Sequence, residues 1–301
     1  MTTTPVTHVA TVPELRAQLS APRGEGRRIA FVPTMGALHA GHAELMHRAR
    51  AVADIVVVSC FVNPTQFGPT EDLSRYPRTP EHDAELVAAA GVDVLWRPDE
   101  RDVYGDDDAG TRLLAGPLGD ILEGASRPGH FDGVVAVVAR LLGAVQPDVL
   151  VLGEKDFQQL AILRRLVADL LLPVEVVGVP TIREADGLAR SSRNAYLSPE
   201  DRAAAVAIPR ALAAARARAA DGSRELPDVL AAARSQLAAQ PRVEVDYLVA
   251  AHATSLAPVT RVDDATVLLV AARVGSTRLI DNARLLPGPD NADHLPEVPH
   301  D

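Results

Sequence analysis

Apolar, β-branched runs recur along the first part of the chain: IAFV at 29–32, ADIVVVSCFV at 53–62, VDVLW at 92–96, DVLVL at 148–152 and PVEVVGV at 173–179. Between them lie segments with helix-compatible spacing, at 41–52, 80–90, 133–146 and 156–170. Buried strands separated by helices predict a parallel sheet covered on both faces. Right-handed crossovers make this a doubly wound, Rossmann-like α/β sheet, which binds ligands at the carboxyl ends of its strands.

The pattern changes near residue 182. Two alanine-rich helical stretches follow, at 199–220 and 225–240, then three strand-like runs at 243–250, 266–274 and 278–285. Ser198 before Pro199 has the form of a serine cap followed by a first-turn proline. Helices and strands grouped in this way predict a smaller C-terminal α+β domain. The expected organisation is a Rossmann-like domain over 1–181, an α+β lid domain over 182–286 and a Pro- and Asp-rich disordered tail over 287–301. The segment 100–112 reads as a polar loop, and its Asp106–Asp108 run as solvated surface rather than a metal site.

Composition narrows the partners. With 301 residues and 47% apolar side chains, the chain is long enough for a sizeable core. A formal net charge of −10 argues against nucleic acid or an anionic membrane surface, which both select basic footprints. It leaves room for a small anionic substrate in a local basic pocket. Cys60, the single cysteine, excludes a disulfide within the chain and reads as a buried small residue. No basic-then-apolar leader opens the sequence and no apolar stretch of about 18 residues occurs, so a soluble, cytoplasmic protein is expected. Of the 30 basic side chains, 29 are arginine; Lys155 is the exception.

Five segments carry candidate chemistry. PTMGALHAGHAEL, at 33–45, joins the first predicted strand to a helix. A helix start offers unpaired N–H groups and the positive end of the dipole to phosphate. Gly36 and Gly41 allow close approach to the backbone. His39 and His42, three apart, share a helix face and are placed to stabilise charge during attack on an α-phosphate. The plainer alternative is a pair of capping histidines. HxGH after a first strand is the signature of the nucleotidyltransferase superfamily related to class I aminoacyl-tRNA synthetases. FVNPTQFGPTEDLSRYPRT, at 61–79, leaves the second predicted strand. Asn63 and Gln66 are neutral bifunctional groups suited to hydroxyls and carboxylates, although Asn63-Pro64 is also an ordinary turn.

GEKDFQQL, at 153–160, follows the strand DVLVL. Lys155 there presents a compact ammonium suited to phosphate, Asp156 is a candidate helix cap, and Gln159 lies one turn on. Ser191, Ser192 and Arg193, within READGLARSSRNAYLS at 183–198, form a polar cluster suited to gripping phosphate. Arg127 and His130, in RPGHFDGV at 127–134, precede a helix and read equally as loop packing.

Together PTMGALHAGH, FVNPTQF, YPRT, RPGHF, GEKDFQQL and DGLARSSRNAYLS closely resemble the pantothenate synthetase (pantoate–β-alanine ligase) family, in the family's order, over about residues 25 to 285. The resemblance implies two steps. The carboxylate of (R)-pantoate attacks the α-phosphate of ATP to give pantoyl adenylate and pyrophosphate; the amine of β-alanine then attacks the acyl carbon and releases AMP. By matching position it implies ATP contacts from Met35, Gly36, Ala37, Leu38, His39, Ala40, Gly41 and His42, with His39, His42, Lys155 and Arg193 as catalytic groups. Gly153, Glu154, Lys155, Asp156, Ile182, Arg190, Ser191, Ser192 and Arg193 would line the nucleotide. Gln66 and Gln159 would hold pantoate, with Asn63 and Tyr76 shaping that pocket and Gln66 also meeting β-alanine. The family uses Mg²⁺ carried mainly on the ATP phosphates, and usually forms a homodimer. Its metal-proximal acidic cluster reads here as Glu81, His82 and Asp83; the histidine argues against direct metal ligation, so no direct protein ligand is expected and Asp83 is the single candidate for one. The sequence departs from many relatives at Arg190, where they carry Met or Leu.

Two other readings predict different things. A nucleotidyltransferase that joins AMP to a phosphorylated small molecule needs a basic pocket for the second phosphate, against which the glutamine pairs argue. A non-catalytic nucleotide-binding protein predicts erosion of the motif side chains, and none is eroded.

Overall fold

In a computed structural model, residues 5–68, 73–105 and 110–286 are described. The Asp106–Asp108 run and the 287–301 tail lie outside them. The chain forms two compact units: residues up to Glu154 with Gln158–Val179, and Lys155–Phe157 with the described residues from Pro180 onward.

The first unit runs β1 (Thr7–Val9), α1 (Val12–Gly24), β2 (Ile29–Thr34), α2 (Ala40–Val52), β3 (Ile55–Cys60), α3 (Pro80–Ala89), β4 (Val94–Trp96), α4 (Glu100–Tyr104), α5 (Glu123–Ser126), α6 (His130–Val145), β5 (Val149–Gly153), α7 (Phe157–Asp169) and β6 (Glu175–Val179). Phe157, the first residue of α7, groups with the second unit. The six strands form one parallel sheet in the order β1-β4-β3-β2-β5-β6. Alternation along the central strands feeds two cores. Ile29, Phe31, Ile55 and Val57 pack into one, while Ala30, Val32, Val56 and Val58 pack into the other. Every one of these side chains has to be apolar, which is why the strands read as unbroken runs. The chain reverses direction across the sheet between β2 and β5, so the carboxyl ends of β2, β3 and β5 meet at a switch point.

The second unit runs α8 (Pro199–Ala205), α9 (Ala207–Ala220), α10 (Leu226–Ala238), β7 (Val243–His252), β8 (Thr266–Val274) and β9 (Thr277–Arg284). Its strands form an antiparallel sheet in the order β7-β8-β9. Leu268, Val270, Ala272 and Val274 of β8 share a core with Ala211, Leu212 and Ala215 of α9 and Ala233 and Leu237 of α10.

Two local expectations are corrected, and one stretch for which no elements were given is filled. The stretch before residue 25 holds a strand and a helix; α1 is opened by a capping box in which Thr11 and Glu14 satisfy each other's backbone N–H. The segment expected as a loop at 100–112 begins with α4, because Asp99 and Asp102 form a second capping box. The helix expected over 199–220 is two helices that meet at Val206, since Pro209 has no N–H to bond the carbonyl of Ala205. No described helix is long and apolar enough to cross a membrane.

Candidate active site

At the end of β2 the backbone turns sharply through Gly36 (φ 80°) and Ala37 (φ 50°). Left-handed backbone is strained for alanine, so something must hold it. Asp83 of α3 does so. It is 3% exposed, and its carboxylate accepts the N–H groups of Leu38 at 2.8 Å and Ala37 at 3.1 Å and the Thr79 hydroxyl at 3.0 Å. A Cβ on Gly36 would stand 3.0 Å from Asp83 Oδ2, so glycine is required there on both counts. Thr34 completes the turn: its Oγ1 donates to the Ser59 carbonyl at 2.7 Å and accepts the Gly36 N–H at 3.2 Å.

The histidines follow. His39 is the N-cap of α2, and its Nδ1 accepts the Gly41 N–H at 3.1 Å. His42 Nδ1 accepts the His39 N–H at 3.2 Å. The two rings lie 4.1 Å apart. A nitrogen that accepts an N–H carries no proton of its own, so each ring holds its proton on Nε2. Capping the helix and fixing the tautomer are thus one arrangement, and it turns both imidazoles into Nε2–H donors beside the helix start.

At the end of β3, Asn63 is 1% exposed and fully engaged. Its Oδ1 accepts from the Tyr104 hydroxyl at 2.6 Å, Thr65 Oγ1 at 3.0 Å and the Thr65 N–H at 3.3 Å. Its Nδ2 donates to Gln66 Oε1 at 3.0 Å and to the Gly133 carbonyl at 3.2 Å. Gln66 Nε2 in turn donates to Met35 Sδ at 3.2 Å, which joins this turn to the HxGH loop. Burial pushes the Tyr104 hydroxyl above its ordinary range, with hydrogen bonds from its partners opposing the shift. Tyr76 stands edge-on to Phe67, with ring centres 5.8 Å apart.

β5 ends at Gly153, and Glu154–Asp156 form a single 3-10 turn before α7. Gly178 of β6 leaves room for the Glu154 side chain, since a Cβ there would meet Glu154 Oε1 at 2.7 Å. Gln159 is half-buried in the first turn of α7. Its neighbour Gln158 is buried and structural: it donates to the carbonyls of Leu118 and Ile121 and accepts the Glu123 N–H.

In the second unit, Asn282 of β9 donates to the Lys155 carbonyl at 3.0 Å, and Lys155 Nζ lies 3.7 Å from Asp156 Oδ1. A short hairpin pairs Arg183 with Ala189 and is tied by the Arg190 N–H to the Ile182 carbonyl at 2.9 Å. Arg183 makes a buried, two-pronged ion pair with Asp281 at 2.7 and 3.1 Å. Ser191 accepts the Arg193 N–H at 3.3 Å and opens the Ser192–Tyr196 turn. Buried Asn194 fastens that turn to Glu184 Oε1 at 2.8 Å and to the Ala189 carbonyl at 3.0 Å, while Arg202 bonds both Glu184 and Asp186. Burial alone would raise the Glu184 carboxyl. Asn194 and Arg202 outweigh it and hold the group below its ordinary value.

Residues 7–284 match the family described as pantoate-beta-alanine ligase. A pantothenate synthetase of Pseudomonas aeruginosa (strain UCBPP-PA14) is 53% identical over 275 residues, which is 91% of this chain and 97% of the relative. One from Saccharopolyspora erythraea is 52% identical over 284 residues, 94% of this chain and 92% of the relative. The crystal structure of pantothenate synthetase from Thermus thermophilus superposes with a TM-score of 0.88 at 49% identity, covering 94% of this chain and 100% of that one. A pantoate–β-alanine ligase from Francisella tularensis, complexed with β-γ ATP and β-alanine, gives 0.74 at 32% identity, covering 95% of this chain and 100% of the other.

The chain belongs to the pantoate–β-alanine ligase family.

In this ligase the first unit brings together Met35–His42, Asn63, Gln66 and, through Asp83, the strained Gly36–Ala37 turn. Gly153 and Glu154 lie at the end of a neighbouring strand. Lys155, Asp156, Ile182 and Arg190–Arg193 belong to the second unit. Asp83, the single candidate for a direct metal ligand where none was expected, has both oxygens engaged by the loop and Thr79. Arg190 enters the hairpin through its backbone N–H, a role indifferent to side-chain identity. Sequence reasoning missed Tyr104, Gln158 and Asn194. Asn194, inside the SSRN run, and Gln158, inside GEKDFQQL, lie in motifs that could have pointed to them; Tyr104 carried no such signal.

Proposed function

We propose that this ligase condenses (R)-pantoate with β-alanine, driven by ATP cleavage, through pantoyl adenylate. The reciprocal capping of His39 and His42 carries the reading, because it supplies two Nε2–H donors at a helix start that also attracts phosphate. A pantoate carboxylate oxygen attacks the α-phosphorus, the bond to the bridging oxygen breaks, and pyrophosphate leaves. The histidine donors stabilise the negative charge that grows on the α-phosphate oxygens. The amine of β-alanine then attacks the acyl carbon, AMP departs and the amine loses a proton, leaving the amide. Gln66 and Gln159 bind pantoate, with Asn63 and Tyr76 shaping its surroundings and Gln66 also meeting β-alanine. Lys155, Arg193, Ser191 and Ser192 are assigned to ATP phosphates, and Gly153, Glu154, Asp156, Ile182 and Arg190 to lining the nucleotide.

Mg²⁺ rides on the ATP phosphates in this reading, consistent with an Asp83 carboxylate already engaged by backbone N–H groups. A homodimer in the cytoplasm completes it. Transfer of AMP to a phosphorylated acceptor is disfavoured, since the side chains that link the β3 turn to the HxGH loop, Asn63, Gln66 and Met35, are neutral. An assay for AMP release tests the reading: release should require both pantoate and β-alanine. Formation of an AMP-linked product and pyrophosphate from a phosphorylated acceptor in their place, with no free AMP, would contradict it.

A further inference from the structure

The RPGH segment before α6 has no substrate role in this account, yet it converges on one atom. His130 Nδ1 lies 2.7 Å from the carbonyl oxygen of Gln66, and Arg127 Nη2 lies 3.4 Å from the same oxygen. Arg127 Nη1 stands 3.0 Å from His130 Nε2. A guanidinium only donates, so His130 Nε2 accepts and the ring proton resides on Nδ1, which donates to Gln66. This is the opposite tautomer to that of His39 and His42. Backbone contact completes the arrangement. A Cβ on Gly133 would fall 2.4 Å from the Thr65 carbonyl oxygen and 2.7 Å from Gln66 Cα, so the Thr65–Gln66 backbone rests directly on α6. The Gly133 carbonyl accepts from Asn63, which also holds Gln66 Oε1.

We infer that His130 is a positioning residue: as a neutral Nδ1–H donor it locks the Gln66 peptide and so sets where the Gln66 amide meets pantoate. The inference rests on the assignment of Gln66 to pantoate. With the His130 bond gone, the Gln66 carbonyl keeps only the longer Arg127 contact at 3.4 Å and its peptide can tilt against α6; a displacement near 1 Å in a positioning group costs on the order of 10²-fold.

The test uses isosteres. The amide of an asparagine at position 130 reaches where Nδ1 stands and can still donate to Gln66; that of a glutamine reaches toward Nε2. Pyrophosphate exchange into ATP is followed at varied pantoate for the parent, His130→Asn, His130→Gln, His130→Leu and Gln66→Ala. The pantoate KM should stay within about threefold of the parent in His130→Asn and rise roughly tenfold to 10²-fold in His130→Gln and His130→Leu, with ATP KM within about twofold throughout. Should His130→Leu fail to fold, the asparagine–glutamine pair decides. Equal impairment of those two, pantoate and ATP KM rising together, or no change in either overturns the clamp. An unchanged pantoate KM in Gln66→Ala overturns the Gln66 assignment itself, whereas a raised one with a normal His130→Leu overturns the clamp alone.

Discussion

Asp83 reaches from α3 to accept the Leu38 N–H at 2.8 Å, and so braces the loop that presents His39 and His42. Left-handed backbone at a non-glycine residue costs on the order of 1–3 kcal/mol, and a carboxylate that collects two amides offsets that strain. Replacing Asp83 with asparagine turns part of the acceptor into a donor facing N–H groups. The expected result is about 1–3 kcal/mol lost in urea unfolding and a clear rise in ATP KM. The concentration of Mg²⁺ that half-activates the enzyme should not move. A large shift in that concentration would return Asp83 to the metal.

The histidine tautomers predict an asymmetry at position 42. An asparagine there can keep the capping acceptor at the place of Nδ1 while removing the Nε2–H donor. His42→Asn should therefore melt near the parent and lose about 10²–10³ in kcat for adenylation, the loss expected for one transition-state donor. Backbone N–H groups at the α2 start remain, so ATP KM should change little. A kcat equal to the parent's would reduce His42 to a helix cap.

Lys155 is the single lysine among 30 basic side chains. Arginine keeps the charge but replaces a compact ammonium with a planar fork. Lys155→Arg should melt close to the parent and slow pyrophosphate exchange on the order of 10²-fold by misplacing phosphate; Lys155→Ala should be at least as slow. Near-normal exchange in Lys155→Arg would show that positive charge alone suffices.

Glu184 ties the Ser191–Arg193 turn to acid stability. Its carboxyl is held below the ordinary value of 4.5 in the folded chain. The stabilisation is therefore present above the unfolded carboxyl's value and lost as pH falls through the lower folded one. The chain should lose stability as pH falls below the ordinary carboxyl value of 4.5, and Glu184→Gln should flatten that limb in urea titrations at stepped pH. An identical acid limb in the variant would show that other carboxyls govern it.

Much of this was legible in the chain. Residues such as Phe31 and Val57 must be apolar because both faces of the sheet are covered, and that compulsion shows as unbroken runs. The Thr-Val-Leu-Leu-Val run of β8 is legible for the same reason, since consecutive residues from Thr266 to Ala272 are all buried. β1 escaped because three residues at a sheet edge leave almost no pattern, and α4 because its start is written only in the capping pair Asp99 and Asp102. Motif order pointed to the site residues, but not to what each one does. The sequence offers Gln158 and Gln159 as equals, and only packing against the Leu118–Glu123 segment distinguishes the structural one. The sequence offered Asp83 only as a doubtful metal ligand in an acidic cluster; its bracing role was hidden because the loop it supports is 45 residues away in sequence.

The central claim is that the paired histidines serve attack on the α-phosphate of ATP by the pantoate carboxylate before any amine is involved. Labelled pyrophosphate is incubated with the enzyme, ATP, Mg²⁺ and pantoate in the absence of β-alanine. The account predicts incorporation of label into ATP that depends on pantoate and is strongly reduced in His42→Asn. Incorporation that appears only when β-alanine is added would contradict it.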